Sequence, residues 1–381
     1  MDLEPLYALA SPFGAPRVLA FDHDRRGFVD LHVVPSFVRG SARQRIEREV
    51  ESCVSVSSPY LAKVIGAVET EAGLAIAYDW RPGVTLAGAL AASGRVRVPF
   101  RVGTLFVIVS ELARALGHLE DLGLAHDNVT TCTVELGFDG RVTLLDLGLS
   151  EYCTELLRAG RGDRFRALRF HAPERLMGQR ASIRSDIFSA GVVLWESLTG
   201  RVLFDGSTAD ELTRRVIACG AQPPSRLVAN VSDTFDNLTL TLLARSPKDR
   251  PGSARSFSGS VEVLLRQAGV REGPGAMVHA DLSRIFGAEV LSSAIDFAYE
   301  ARVSSIPAAP IDLLEHPTQP PCEASERDTY PPFAEIVDLS SFRATSSPPP
   351  ARSDPLPPKA LASALLVASG ERFRPYSARA H

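Results

Sequence analysis

Lysine is nearly missing from this chain of 381 residues: Lys63, Lys248 and Lys359 are the only three, so almost all of its 41 basic residues are arginines. A GC-rich genome accounts for the bias, but it has a chemical consequence, because no lysine precedes Lys63. Cysteine is sparse. Five residues, odd in number and without a C-x-x-C pair, argue against a disulfide framework or a zinc site and fit a reducing compartment. A strong charge of either sign is lacking. A formal net charge of −4 points to neither nucleic acid nor a membrane surface as partner. Long apolar runs are lacking too, and Ala360–Ala368 is too short to span a bilayer. Met1–Leu6 has neither the basic nor the apolar region of a signal peptide. The expected location is the cytoplasm, with no membrane insertion. No internal repeat is visible.

The chain has an ordinary globular composition, 45% hydrophobic, and is long enough for one large core or two smaller ones. The composition shifts near residue 270. Beyond it fall more than half of the 27 prolines, clustered at Pro320–Pro321, Pro331–Pro332, Pro348–Pro350 and Pro357–Pro358. Such a segment buries too little apolar area to offset its ordering entropy, so a disordered tail is expected over 300–381. Between it and the globular part, 269–299 reads as a short linker. Within that linker Met277, Val278, Leu282, Ile285 and Phe286 share one helical face, suited to docking on the chain itself or on a partner.

Residues 1–268 divide by pattern. Arg17–Phe21 and Gly27–Val34 are β-rich runs joined by a polar turn, and Lys63–Val68 with Leu74–Tyr78 form a second pair. Ser41–Val56 reads as a charged amphipathic helix with Ser41 as N-cap. From Phe100 the spacing of Val102, Leu105, Phe106, Val109, Leu112, Leu116 and Leu119 predicts a long buried helix. Further helices are predicted around 185–199, 210–219, 234–244 and 253–268. The expected class is α+β, with a small β-rich lobe over about 7–79 and a larger helical lobe over about 80–268.

The motifs sharpen this. Gly123-Leu-Ala-His-Asp-Asn-Val-Thr-Thr-Cys-Thr-Val-Glu-Leu136, followed by Leu144-Leu-Asp-Leu-Gly148, resembles the catalytic loop and metal-binding turn of the protein kinase family. Glu49 matches the family's helix-C glutamate. Tyr78–Leu86 looks like the hinge, with Tyr78 as gatekeeper. Ala172-Pro-Glu174 matches the end of the activation segment, Ser185–Glu196 the helix whose aspartate (here Asp186) holds the catalytic-loop backbone, and Arg245–Pro251 the segment whose arginine, Arg250, would pair with Glu174. The style is that of bacterial, eukaryotic-like (Hanks-type) serine/threonine kinases. In the family His126, Glu174, Asp186 and Arg250 are structural positions, whereas Glu49 and Tyr78 belong with the nucleotide site.

At the chemical positions the chain departs from the family. The glycine loop becomes Leu9-Ala-Ser-Pro-Phe-Gly14, keeping only Phe13 and Gly14, so a close phosphate cradle is not expected. His32 stands where a lysine should bridge phosphates and Glu49; it is shorter and only partly protonated near neutrality. Arg17, Arg25 or Arg26 would have to supply a cation instead. Asp30 and Glu135 occupy the residues above and below the adenine ring, two carboxylates that are costly there unless partnered; a register slip would instead put Glu135 in solvent. Asp127 replaces the arginine that reads activation-loop phosphate. Asn128 replaces the catalytic aspartate, and the loss of a general base costs ~10²–10⁴ in rate. Asp127 could act in its place only if it turned the same way. Thr130 replaces the phosphate-steadying lysine and Thr133 the asparagine that holds the second magnesium. Asp146 keeps the metal-binding position, as an ion ligand or as a hydrogen-bonding loop carboxylate.

The activation segment, Asp146–Glu174, carries Arg158, Arg161, Arg164, Arg166 and Arg169 beside Ser150, Tyr152 and Thr154. It reads as a solvated loop or as a docking surface for an acidic partner. Ser346-Ser-Pro348 resembles a phosphoacceptor context. Architecture kept and chemistry replaced imply a catalytically inactive homologue (a pseudokinase), a regulator or scaffold for other proteins, an active protein kinase among them, with no cofactor. The alternative is a serine/threonine kinase of residual or unconventional activity using ATP and Mg²⁺. An ATP sensor without turnover is a third reading, against which Asp30 and Glu135 weigh.

Overall fold

The computed structural model describes residues 1, 3–9, 17–34, 38–70, 73–149, 167–229 and 231–303. They form two lobes. The N-terminal lobe is a five-stranded antiparallel sheet in the order β1-β2-β3-β5-β4, built from β1 (Leu3–Leu9), β2 (Arg17–Asp22), β3 (Gly27–Val33), β4 (Val64–Thr70) and β5 (Gly73–Asp79). Helix α1 (Ser41–Val54) lies along β4 and buries Ile46, Val50 and Cys53. Its N-cap is Gly40, at φ 59°, with no side-chain cap. Ser41 is thus the first helical residue, not the cap: the chain enters through a left-handed turn that glycine adopts without a Cβ penalty.

The C-terminal lobe is helical. It comprises α2 (Leu86–Val96), α3 (Val102–Asp121), α4 (Pro173–Leu176), α5 (Ile183–Thr199), α6 (Ala209–Ala218), α7 (Asp233–Leu242) and α8 (Ala254–Gln267). A small sheet, β6 (Gly83–Thr85), β7 (Val134–Gly137) and β8 (Val142–Leu144), sits between the lobes. By length and composition α3 could cross a membrane, contrary to the expectation that no run is long enough, but it runs through the core here, in contact with α5 and α8. Its apolar residues recur on all sides, as a helix surrounded by others requires. Helix α5 starts on a Ser182/Ser185 capping box and ends on Gly200 at φ 63°. At Gly191 a Cβ would meet Leu242 at 2.8 Å, so α5 and α7 pack this closely only because no side chain intervenes.

The segment expected to be a linker contains two helices, α9 (Pro274–Phe286) and α10 (Ala288–Val303). The second runs into the span expected to be disordered. Helix α9 docks on its own domain, against α3 and α2. Met277, Val278, Leu282 and Ile285 are buried, and the Phe286 ring lies 6.3 Å from that of Phe138. The fully buried Asp281 accepts from the Arg101 backbone N–H at 3.0 Å and from its Nε at 2.9 Å. The apolar face of α9 and its docking on the chain itself were readable in the sequence, whereas α10 was not, because it adjoins the span whose clustered prolines read as a disordered tail. The rest of the tail, 304–381, lies outside the described residues.

Candidate functional site

The cleft between the lobes is built by strand register. Arg17 pairs directly with His32 across β2 and β3, and Asp30 pairs with Tyr78 across β3 and β5. Side chains two apart on a strand share a face. Arg17, Asp30, His32 and Tyr78 therefore all point towards the turn after β8. There they meet Asp146, itself at φ 65°, a left-handed position uncommon for a residue with a Cβ.

These groups form one buried network. Arg17 Nε donates to Asp30 Oδ2 at 3.0 Å, and its Nη2 reaches the same oxygen. His32 Nε2 lies 3.2 Å from Asp30 Oδ2, and its Nδ1 lies 2.9 Å from Asp146 Oδ1. Asn128 Nδ2 donates to Asp146 Oδ2 at 3.4 Å. The Tyr78 hydroxyl donates to the carbonyl of Leu147 at 2.9 Å, and its ring lies 4.7 Å from that of His32. Both ring nitrogens of His32 face carboxylates, which only the doubly protonated imidazolium satisfies. Burial alone would lower the His32 pKa, but Asp30 and Asp146 outweigh it and raise it to about 9. Burial would likewise raise Asp30 and Asp146. Arg17 and His32 instead hold Asp30 well below the usual carboxylate range, and His32, then Arg17, hold Asp146 low.

Arg17 is thus the cation that enters the cleft. Arg25 and Arg26 lie exposed in the β2–β3 turn. Asp30 is not a bare carboxylate but Arg17's partner. Glu135 is buried on β7, opposite Thr85 and Thr143, so the register slip that would expose it does not occur. It packs over Gly83, where an added Cβ would meet Glu135 Cγ at 3.1 Å. Burial raises its pKa to about 7, with Arg17 and Arg141 opposing. The charges of the cleft close on themselves. Arg17 and His32 offset Asp30 and Asp146, and Glu135 adds a carboxyl poised between acid and anion. Within this described network no positive charge is left over to attract a phosphate.

The catalytic-loop segment is held from below. Asp186 accepts from the backbone N–H groups of His126 at 2.7 Å and Asp127 at 2.9 Å. The ring of His126 places Nε2 2.8 Å from the Leu145 carbonyl, which makes Nε2 the protonated nitrogen; burial lowers its pKa and keeps it neutral. Asp127, at φ 57°, turns away from Asn128 and receives Arg175 Nε at 2.7 Å and Nη2 as a second bond. It is therefore unavailable as a base. Arg175 was missed by sequence reasoning, although an acidic residue in place of an arginine calls for a cation, and Arg175 directly follows Glu174. Arg250 forms a bidentate pair with Glu174 at 2.7 and 2.9 Å. Arg169, read as part of the basic segment, is buried and ion-paired with Glu196 at 3.1 Å, so it contributes nothing to a docking surface.

The metal position fits poorly. A magnesium ion needs a shell of freely offered oxygens. The Thr133 hydroxyl already donates to the Asn128 carbonyl at 2.8 Å and accepts the Thr130 N–H at 2.9 Å. The Thr130 hydroxyl lies 3.3 Å from that of Thr133 and takes the Cys132 N–H at 3.1 Å. The two oxygens of Asp146 face His32 and Asn128. No group of three or more His, Cys, Asp or Glu residues is arranged around a common centre among the described residues. Gly14, Ser150, Tyr152, Thr154, Arg158, Arg161, Arg164, Arg166 and Ser346–Pro348 lie outside them. Glu49 is half-buried on α1, while both nitrogens of His32 are committed elsewhere.

Comparison with known proteins agrees with this geometry at the level of fold and family. The chain is 24% identical over 268 residues to the serine/threonine-protein kinase PknB of Mycolicibacterium smegmatis, covering 68% of this chain and 41% of that protein. It is 22% identical over 222 residues to the serine/threonine-protein kinase PrkC of Bacillus subtilis, covering 58% and 34%. The chain therefore spans between about a third and two fifths of the length of these relatives. The crystal structure of the Mycobacterium tuberculosis PknI kinase domain superposes with a TM-score of 0.53 at 22% identity, over 68% of this chain and 93% of that one. The family model for the protein kinase domain matches residues 23–260. On that match, which takes in more than half of the chain, the protein belongs to the protein kinase domain family.

Proposed function

We propose that this domain is a pseudokinase, a member of the family that does not transfer phosphate and serves as a protein-binding regulator or scaffold, with an active protein kinase among its candidate partners. The observation that carries the reading is the buried Arg17–Asp30–His32–Asp146 network. It fills with mutually neutralising charges the space where a nucleotide would bring a triphosphate. Asp30 and Glu135 would flank the adenine, and because Arg17 and His32 are spent on Asp30 and Asp146 an anionic ligand finds no surplus cation in the network to attract it. Asn128 can orient a hydroxyl but cannot accept its proton, which removes ~10²–10⁴ in rate. The kept ties, Asp186 to the loop backbone and Arg250 to Glu174, hold shape rather than substrate. A cytoplasmic location and the absence of a cofactor belong to the same proposal.

A second reading is serine/threonine phosphotransfer at low rate with ATP and Mg²⁺. It is favoured by Asp146-Leu147-Gly148 and by relatives that are serine/threonine kinases. An assay of ³²P transfer from ATP, to the protein itself and to a generic basic protein, with Mg²⁺ and with Mn²⁺, separates the two. The pseudokinase reading expects the same background in the wild type and in Asp146→Ala. Incorporation that the wild type shows and Asp146→Ala loses overturns it.

A further inference from the structure

The two faces of the β1–β5 sheet differ in chemistry. The face towards the C-terminal lobe carries the charged network. The opposite face carries Val18, Ala20, Val29, Leu31, Ala75 and Ala77, a separate apolar cluster in which each residue is at most 4% exposed, edged by Leu3, Val33, Ile65 and Val68. An antiparallel sheet with one face towards solvent turns its polar residues outward; this sheet turns them inward and its apolar residues outward, and since those are at most 4% exposed the outer face is covered. Helix α1 is not the cover. Its Val50 Cα and Cys53 Sγ lie 3.5 and 3.6 Å from where a Cβ on Gly148 would stand, against the turn that carries Asp146 on the inner side. The described helix that packs along β3 is α10, which lies beyond the residues 23–260 matched by the family model.

The root of α10 is in the other lobe. It follows α9 after the single residue Gly287, at φ 91°. Helix α9 is fixed to the C-terminal lobe by Asp281 on Arg101 and by its buried apolar face. Leu291 and Ala294, both fully buried, continue that packing into α10. The outer face supplies a shallow seat, because Ala20, Ala75 and Ala77 project no further than a methyl group and let a helix backbone come close.

We propose that the outer face of the N-terminal sheet is a helix-docking surface occupied by the chain's own α10, which straps the two lobes together across the hinge. The lobes are then held by the network inside the cleft and by the strap outside it. The strap is independent of whether nucleotide binds.

Hydrogen exchange on the full chain tests this from both sides of the contact. Ala298→Pro breaks the C-terminal half of α10 without altering the sheet. Proline inside a helix shifts the local opening equilibrium by about a hundredfold. Ala77→Glu places a carboxylate on the sheet face without altering α10. The strap predicts that both variants release α10 amides, speed exchange in β3 and β5, and bind anilinonaphthalene sulfonate, while α9 keeps its protection. A synthetic peptide of residues 288–303 added to Ala298→Pro should slow β3 exchange again. Exchange of wild-type α10 at the rate of an unstructured peptide overturns the proposal. So does an Ala298→Pro variant in which α10 opens while β3, β5 and dye binding stay at wild-type levels.

Discussion

Removing Asp30 alone should cost far more than removing it together with Arg17. The two side chains form a buried pair, with Nε and Oδ2 3.0 Å apart. At that separation and an effective dielectric of about 20, the gross attraction is about 5 kcal/mol. Desolvation of both ions cancels most of it, so the pair adds little net stability over apolar residues of similar volume. Stranding one member is different. Asp30→Leu leaves the Arg17 guanidinium buried without its partner and halves the carboxylate support of His32. A loss of about 3–5 kcal/mol is expected, equivalent to roughly 10 °C in Tm for a domain of this size. Arg17→Met should cost somewhat less, because Asp30 retains His32. The double variant Arg17→Met/Asp30→Leu should recover most of either loss. Urea unfolding with linear extrapolation gives all four corners of the cycle. Additive losses, or a single-variant loss below about 1 kcal/mol, would refute the view of these residues as one mutually compensated unit.

The same geometry leads to three further outcomes. His32 has a raised folded pKa of about 9, so its contribution is fully present below the unfolded value near 6.5 and is lost as pH rises through 9; His32→Gln should flatten that part of the wild-type stability profile. Glu135 is also raised, to about 7, and so costs stability as pH rises from about 4.5 to 7; Glu135→Gln should gain on the wild type at pH 8 relative to pH 5 in the same unfolding series. Asp127→Arg would set two guanidinium groups against each other at Arg175, and its thermal unfolding should show a loss of about 2–4 kcal/mol that the exchange Asp127→Arg/Arg175→Asp largely restores.

The lobes were legible from periodicity because strand and helix repeats survive in a single sequence. The site was legible residue by residue but not as a network. Nothing in the order of residues sets Arg17 opposite His32; that is a fact of register between β2 and β3, and without it Arg17, Arg25 and Arg26 are equivalent candidates. The Asp127–Arg175 pair joins residues 48 apart, beyond any local pattern. Arg169 looked like its arginine neighbours in sequence, and only Glu196 on α5 distinguishes it. Helix α9 was legible from its apolar face, Met277 to Phe286, but α10 was obscured by the proline-rich composition of the neighbouring tail, residues 304–381.

The central claim, that the cleft is filled by the protein's own charges, is tested most directly by thermal unfolding of the full chain across a series of ATP concentrations with Mg²⁺. A ligand at a hundred times its Kd stabilises by about 2.7 kcal/mol, roughly 5–10 °C for a domain of this size. The account predicts a flat series, within about 1 °C at millimolar ATP, alike in the wild type and Asp146→Ala. A saturable rise of several degrees that disappears in Asp146→Ala would contradict it.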